Sequence, residues 1–264
     1  MSFTIIKLLI AALAASATAA PQPIGLRQPR SASGISPIPP APSVDFTKLL
    51  TQPTLVDRFK QLVTRDGKLL PEDELRSVVS FDFNTPLPAP EGKGGAVNLA
   101  NTKNWPILAE SGLAVTVGFL GPCGINTPHV HPRATELLTV ASGSEVDFGY
   151  ILENGLVDPG EKSEIAGKLG PLQATLFPMG SIHFEVNPTC DDATFISALN
   201  NDDPGVSQVA QNFFGLDGET IEAVLGFPEQ FDGDRIEEFR SKIPANVARG
   251  IEQCLEHCKI PKRK

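Results

Sequence analysis

Histidine is scarce in this chain, with four residues in 264, and basic residues are outnumbered, 22 Lys and Arg against 31 Asp and Glu. The resulting formal charge of −9 and pI near 5.0 exclude nucleic acid or an anionic membrane as a general partner. Asn-x-Ser/Thr acceptors are lacking, because Asn84-Thr85-Pro86 and Asn187-Pro188-Thr189 both fail the pattern, so glycosylation at asparagine is not expected. No run beyond the N-terminal segment is apolar for long enough to cross a bilayer, and the N-terminal one is itself too short. Gly92-Lys93-Gly94-Gly95 lacks the strand-then-helix setting of a phosphate-binding loop and reads as a turn. His-x-His occurs once, which excludes a duplicated two-site chain.

What is present begins with a leader. Lys7 gives a short positive flank, Leu8 to Ala15 an apolar core, and Ala17-Thr18-Ala19 a small-residue cleavage site. Residues 1–19 are therefore expected to be a signal peptide and the mature protein to be soluble, secreted and extracellular. Apolar residues at 41% and charged ones at 20% are ordinary for a globular domain.

The remainder divides by pattern. Residues 20–45 are Pro- and Ser-rich and read as a flexible segment. Residues 46–77 form an N-terminal arm, helical in pieces, in which Thr54 caps a helix presenting Leu55, Phe59, Leu62 and Val63 before Asp66-Gly67 stops it. From Val78 the period becomes strand-like, with Val79, Phe81 and Phe83 alternating. Strands are then expected over Leu113 to Leu120, Glu136 to Ala141, Val146 to Leu152, Gln173 to Phe177, Ile182 to Val186, Ala193 to Leu199 and Val206 to Phe214. Many short strands at this spacing point to an all-β core, a closed antiparallel barrel or jelly roll, over residues 78–225. Residues 226–264 read as a C-terminal helical extension, with helices beginning at Glu219 and covering Asp234 to Ile243 and Ala245 to Cys258 before a basic tail.

Three of the four histidines fall in two segments, Pro128-His129-Val130-His131-Pro132-Arg133-Ala134-Thr135-Glu136 and Pro178-Met179-Gly180-Ser181-Ile182-His183. On an extended strand His129 and His131 project from one face. Glu136 has the wrong parity for that strand, but Pro132 removes a ladder donor and Arg-Ala-Thr can turn, so Glu136 opens the next strand and points back. Three imidazoles and a carboxylate suit one first-row divalent ion with positions left open. Arg133 either pairs with a nearby carboxylate or faces solvent.

The spacing His-x-His, four residues, Glu, six residues, Gly143, then Pro-x-Gly, two residues, His, three residues, Asn187, resembles the paired motifs of the germin branch of the cupin superfamily. The similarity continues through Asn201-Asp202-Asp203-Pro204-Gly205 and Asn212-Phe213-Phe214-Gly215, spans roughly residues 78 to 225, and is nearest the secreted spherulin-like members. Two positions depart from it. Cys123 stands where the first motif usually opens on glycine, and Leu172 stands at the corresponding glycine of the second.

The resemblance implies a single cupin jelly-roll barrel, with His129, His131, Glu136 and His183 as ligands of one manganese ion per chain, iron or another divalent metal being the alternative. It implies Asn126 and Thr116 as substrate-pocket residues, Thr116 replacing a second asparagine of the oxalate-oxidising members. That replacement weakens oxalate binding, since a charged carboxylate relies on such donors, and favours superoxide dismutation. Asn187 is expected to serve the turn. A small anionic or oxygen-species substrate follows, with a homo-oligomer clasped by the C-terminal helices; these helices covering their own barrel is the other reading. The contrasting function is a wall or encystment-type structural protein, with a metal that stabilises the barrel and with Phe148 and Tyr150 on a polysaccharide-binding surface. Secretion permits disulfides among Cys123, Cys190, Cys254 and Cys258. On a cupin fold the ends of the two motifs adjoin, so Cys123–Cys190 is expected, with Cys254–Cys258 by default.

Overall fold

The computed structural model describes residues 38–39, 42–84, 94–226, 233–240 and 242–261. The leader and most of the segment 20–45 lie outside them. The chain begins with α1 (Phe46–Leu50), α2 (Leu55–Val63), the hairpin β1 (Thr64–Arg65) and β2 (Lys68–Leu69), and α3 (Glu72–Val79). The strands β3 (Gly95–Ala100), β4 (Ala114–Leu120), β5 (Gly124–Val130), β6 (Glu136–Ser142) and β7 (Val146–Ile151) follow, then β8 (Ile165–Leu169), β9 (Ala174–Phe177), β10 (Ile182–Val186) and β11 (Ala193–Leu199). The chain continues through β12 (Ser207–Gln208), α4 (Val209–Phe213), α5 (Gly218–Val224), α6 (Gly233–Arg240), β13 (Ala248–Arg249) and α7 (Glu252–His257).

Alternation makes the sheets. Along β11, Ala193, Phe195, Ser197 and Leu199 are buried while Ile196 and Ala198 face outward, the period-2 pattern of a strand with one face on a core. Two antiparallel sheets result, ordered β3-β4-β11-β6-β9 and β12-β5-β10-β7-β8, the second also carrying β13 on β5. Between them lie Leu120, Leu138, Val140, Val146, Leu169, Phe177 and Phe195, so the core draws on both layers. This is the all-β architecture the sequence pattern implies.

Thr54 caps α2 as expected, accepting from the Asp57 amide at 3.2 Å. Asp66 and Gly67, both at positive φ, do more than stop that helix: they reverse the chain between β1 and β2, as a two-residue hairpin requires. The alternation at Val79, Phe81 and Phe83 makes no strand. Pro71 and three acidic residues start α3, which runs through Val79, and Phe81 packs on Phe83 and Trp105 at 4.7 and 5.6 Å. Of Val206 to Phe214 only Ser207 and Gln208 are strand; the rest turns into α4, with Phe214 against Phe239 at 5.0 Å. Ala245 to Cys258 is not one helix either. Val247 enters the barrel core, Ala248 and Arg249 pair with Ile125 and Gly124, and helix resumes only at Glu252. Phe148 and Tyr150 pack inward against Phe177 at 6.1 and 5.6 Å, so they form no external binding surface.

The cysteines pair differently from expectation. Cys123 bonds Cys254 and Cys190 bonds Cys258, closing separations of 131 and 68 residues. The two motif ends do adjoin, since the Cys123 amide donates to the Thr189 carbonyl at 3.1 Å. The C-terminal segment nonetheless packs between the barrel cysteines and takes each as a partner.

Candidate metal centre

β5 supplies two histidines by breaking its own register. His129 faces His183 of β10 and Asn126 faces Glu185, so Thr127 and Pro128 together stand opposite the single residue Phe184. This is a bulge, and Pro128, which could not donate to a ladder, sits in it. Its consequence is geometric: Asn126 and His129, three apart and otherwise on opposite faces, are both buried inside the barrel. His131 follows by ordinary alternation. Pro132 ends the strand, and Glu136 opens β6.

His129, His131, Glu136 and His183 are each at most 5% exposed, and their ligand atoms lie within 4.8 Å of one another. Each imidazole places Nδ1 against a backbone carbonyl: His129 on Thr127 at 2.9 Å, His131 on Gly205 at 2.6 Å and His183 on Ser181 at 3.0 Å. A carbonyl only accepts, so Nδ1 carries the proton and Nε2 faces the centre with a lone pair when neutral. The Asn-Asp-Asp-Pro-Gly loop is thereby an outer support of the site. Gly205, at φ +69°, orients His131, while Asp203 accepts from Arg133 at 2.8 Å. Arg133 thus takes the paired alternative.

The Glu136 Oε2 lies 2.9 Å from His131 Nε2 and 3.3 Å from His183 Nε2. Burial opposes its charge, but those two imidazoles outweigh burial and hold the carboxyl well below the usual range. Burial likewise opposes charge on His131, yet its hydrogen bond to Glu136 prevails and raises it. His129 lacks that partner; burial, then the charges of His183 and His131, push it down to about 3. The arrangement is a cage of three nitrogens and one oxygen compatible with a metal ion.

The Cupin family model matches residues 81–227, more than half of the chain. The chain is a cupin. Among its relatives, spherulin-1A of Physarum polycephalum is 36% identical over 212 residues, covering 80% of this chain and 77% of that one. Germin-like protein 4-1 of Oryza sativa subsp. japonica is 33% identical over 154 residues, covering 58% and 59%. Among solved structures, an oxalate oxidase in complex with the substrate analogue glycolate superposes with a TM-score of 0.53 at 24% identity, over 62% of this chain and 79% of that one. It belongs to the germin-like, spherulin-like cupins.

In this cupin the two departures from the motif glycines keep the glycine backbone. Cys123 and Leu172 sit at φ 56° and 63°, the left-handed region that costs an L side chain about 1–2 kcal/mol. Cys123 uses its Cβ for the bridge to Cys254. Leu172, 73% exposed, has no such return. Asn187 is structural: fully buried, it donates to the Leu120, Gly121 and Asp191 carbonyls and accepts from Thr189.

A cavity of about 50 Å³ adjoins the cage, with Thr116, Asn126, Val206, Gln208 and Asn246 in its wall. At about 10–15 Å³ per water it holds a few water-sized groups. Two larger cavities, about 250 and 330 Å³, lie by the N-terminal helices among Leu62, Gln61 and Pro42, and among the described residues neither contains a metal-ligating cluster. The site also holds two residues that sequence reasoning passed over. Glu185 is fully buried beside the cage; Asn126 Nδ2 donates to its Oε2 at 2.7 Å, and Oε1 has no hydrogen-bond partner among the described residues. Burial first and the Glu136 charge second raise its pKa well above the carboxylate range, the Asn126 bond opposing. The alternation that selected His129 and His131 also selects His183 and Glu185. Asn246 carries no such signal, being more than a hundred residues from what it touches.

Proposed function

We propose that this protein is a secreted, manganese-binding germin-like cupin that acts as a metal-dependent oxidoreductase, with superoxide dismutation favoured over oxalate oxidation. The observation that carries the reading is the set of three imidazole nitrogens and one carboxylate oxygen gathered within 4.8 Å. Neutral imidazoles and a hard carboxylate suit manganese or iron(II) and leave coordination positions open. Bound there, a redox-active ion supplies one-electron chemistry and a positive charge for a small anion.

The chain's own residues set what can approach. Asn126 commits one amide hydrogen to Glu185, and its Oδ1 accepts from Asn246 at 2.6 Å, so only part of its donor capacity remains for a ligand. Thr116 presents a short hydroxyl in place of a second amide. A cavity of about 50 Å³ with so few donors suits a two-atom oxygen species better than a dicarboxylate. Secretion is supported by the leader pattern and by the two disulfides. For assembly as a homo-oligomer, α5 and the turns around it are the favoured contact, since Leu216, Val224 and Leu225 are exposed there.

A second reading, a non-enzymatic structural protein whose ion stabilises the barrel, is favoured by the 36% identity to spherulin-1A over most of both chains. Metal content by mass spectrometry, with assays for superoxide loss and oxalate-dependent peroxide release on the protein and on His129→Ala, separates the two. Superoxide loss that disappears in the variant supports the enzyme; a metal-loaded protein inactive in both assays supports the structural role.

A further inference from the structure

The C-terminal segment reaches the metal cage through a chain of named contacts. Asn246 Oδ1 accepts from the Thr127 amide at 2.8 Å and from the Thr127 hydroxyl at 3.2 Å, and the Thr127 carbonyl is the group that orients His129 Nδ1. Asn246 Nδ2 holds Asn126 at 2.6 Å. These contacts fall on the β5 bulge at Thr127 and on Asn126 beside it. The neighbouring Val247 is 1% exposed in the barrel core, so this segment is one wall of the cavity and not a loose tail.

That wall has few ladder bonds, since β13 is two residues long. Besides hydrogen bonds such as that from Gln211 Nε2 to the Pro244 carbonyl at 2.7 Å, it is held by the Cys123–Cys254 and Cys190–Cys258 bridges, and these are neighbours: Cys254 Sγ and Cys258 Sγ are 4.0 Å apart. Cys190 is exposed and Cys123 fully buried, so a reductant reaches the Cys190–Cys258 bridge first. Cys254 and Cys258 are four apart, one within α7 and one at its C-terminus; Cβ atoms at that helical spacing lie about 5–6 Å apart, so a bridge between them needs the last turn of α7 to relax toward the about 3.5–4.5 Å Cβ separation of a disulfide.

We propose that residues 242–258 are a releasable wall of the metal site, with Asn246 as its positioning residue and the paired bridges as its latch. An external dithiol reduces Cys190–Cys258 and becomes a disulfide itself, leaving two thiols. The Cys258 thiolate then attacks Cys254 Sγ; the Cys254–Cys258 bond forms, the Cys123–Cys254 bond breaks, and Cys123 leaves as a thiolate that takes up the proton Cys258 lost. One two-electron reduction thus frees the segment from both barrel cysteines. The inference rests on the metal reading for its consequence at the site, and the exchange itself is read without any metal.

The test uses the full chain with both bridges formed and loaded with manganese(II). It is treated with one equivalent of dithiothreitol, trapped with N-ethylmaleimide and mapped by peptide mass spectrometry. The expected product carries label on Cys123 and Cys190 with a Cys254–Cys258 bridge. Label on Cys190 and Cys258 with Cys123–Cys254 intact, or a Cys123–Cys258 bridge, overturns the latch. Two variants that lose the same bridge separate exchange from simple loosening. Cys190→Ser leaves the Cys258 nucleophile and is expected to yield Cys254–Cys258 with no reductant, losing manganese(II) to EDTA about tenfold faster than Cys258→Ser, whose latch cannot exchange; equal rates overturn release. With both bridges intact, Asn246→Ala is expected to weaken manganese(II) binding about tenfold while the melting temperature of the metal-free protein stays within a few degrees. Asn246→Asp, which keeps the acceptor for Thr127, is expected to recover part of the binding, and unchanged binding in Asn246→Ala removes its positioning role. A chain that never holds manganese(II) defeats the metal reading, and the mapping still decides the latch.

Discussion

The cage of three histidines and Glu136 and the C-terminal wall meet at the same stretch of β5, yet they are held by opposite means. The cage is built by register: β5, β6 and β10 lie in antiparallel ladders, and each imidazole is aimed by a carbonyl of its own or an adjoining loop. The wall is held chiefly by covalent bonds, with a two-residue strand and hydrogen bonds such as those of the half-buried Asn246 behind them. Ligand position is therefore a property of the barrel, while the setting around His129 and Asn126 depends on a segment that chemistry can detach.

The largest way to break the comparison is inside the cage. His183→Ala removes one of three imidazoles, and the loss of affinity seen by calorimetric titration exceeds the about 10–100-fold typical of an outer partner. The fold persists, because the ladders do not depend on that ring. Stripping the ion from the parent protein is expected to lower its stability by about 4 kcal/mol where the ion had been held at a thousand times Kd, read as a drop in melting temperature on adding EDTA.

On the wall, the double variant Cys123→Ala/Cys254→Ala is expected to cost about 2–5 kcal/mol by denaturant unfolding, with the four ligands keeping their mutual geometry. A variant that also scattered the cage would erase the distinction between the two regions.

Two carboxyls a few residues from the bulge give the next tests. His131 and His183 hold the Glu136 carboxyl well below the usual range, while burial and then the Glu136 charge push Glu185 well above it. A carboxyl whose folded pKa is raised stabilises the protein below its unfolded value, and that stability is lost as pH rises toward the folded value. Glu185→Gln keeps the shape without the acid, so the metal-free variant gains stability over the parent progressively as pH rises above about 4.5. Equal stabilities across that range would mean Glu185 is ionised. Metal uptake has the opposite slope. His131 has a raised pKa and holds a proton against Glu136 that an ion must displace, so affinity climbs with pH through the region above the usual imidazole value and then levels. His129, depressed to about 3, adds no step there. The smallest effect is expected outside both regions: Leu172→Gly relieves a left-handed residue with little burial to lose and gains about 1 kcal/mol.

How much of this was legible in the chain follows from the range of the interactions. The ligands could be read because strand parity and a turn at Pro132 act over a few residues. The strands β4, β6, β7, β9, β10 and β11 could be read for the same reason, while β3 and β8, carrying Gly95 and Gly167, were too weakly patterned and β5 was read only as the extended segment that carries His129 and His131. The helix assigned to Ala245–Cys258 failed because Val247 is claimed by the barrel core and residues 248–249 by β5, contacts that no local period announces. The disulfide pairing failed likewise: proximity of the motif ends was real, but a third segment lay between them. Glu185 was a missed opportunity of another kind. Its parity with His183 was in view, and an uncharged buried acid resembles an ordinary strand residue until its neighbours are seen.

The proposed function depends on convergence of His129, His131, Glu136 and His183 upon one ion. The direct measurement is the identity and stoichiometry of metal in protein purified without added metals, beside His129→Ala prepared identically. One divalent ion per chain, manganese above others, with the variant nearly empty, is the predicted result. A parent protein without metal, or a variant that retains full occupancy, would contradict it.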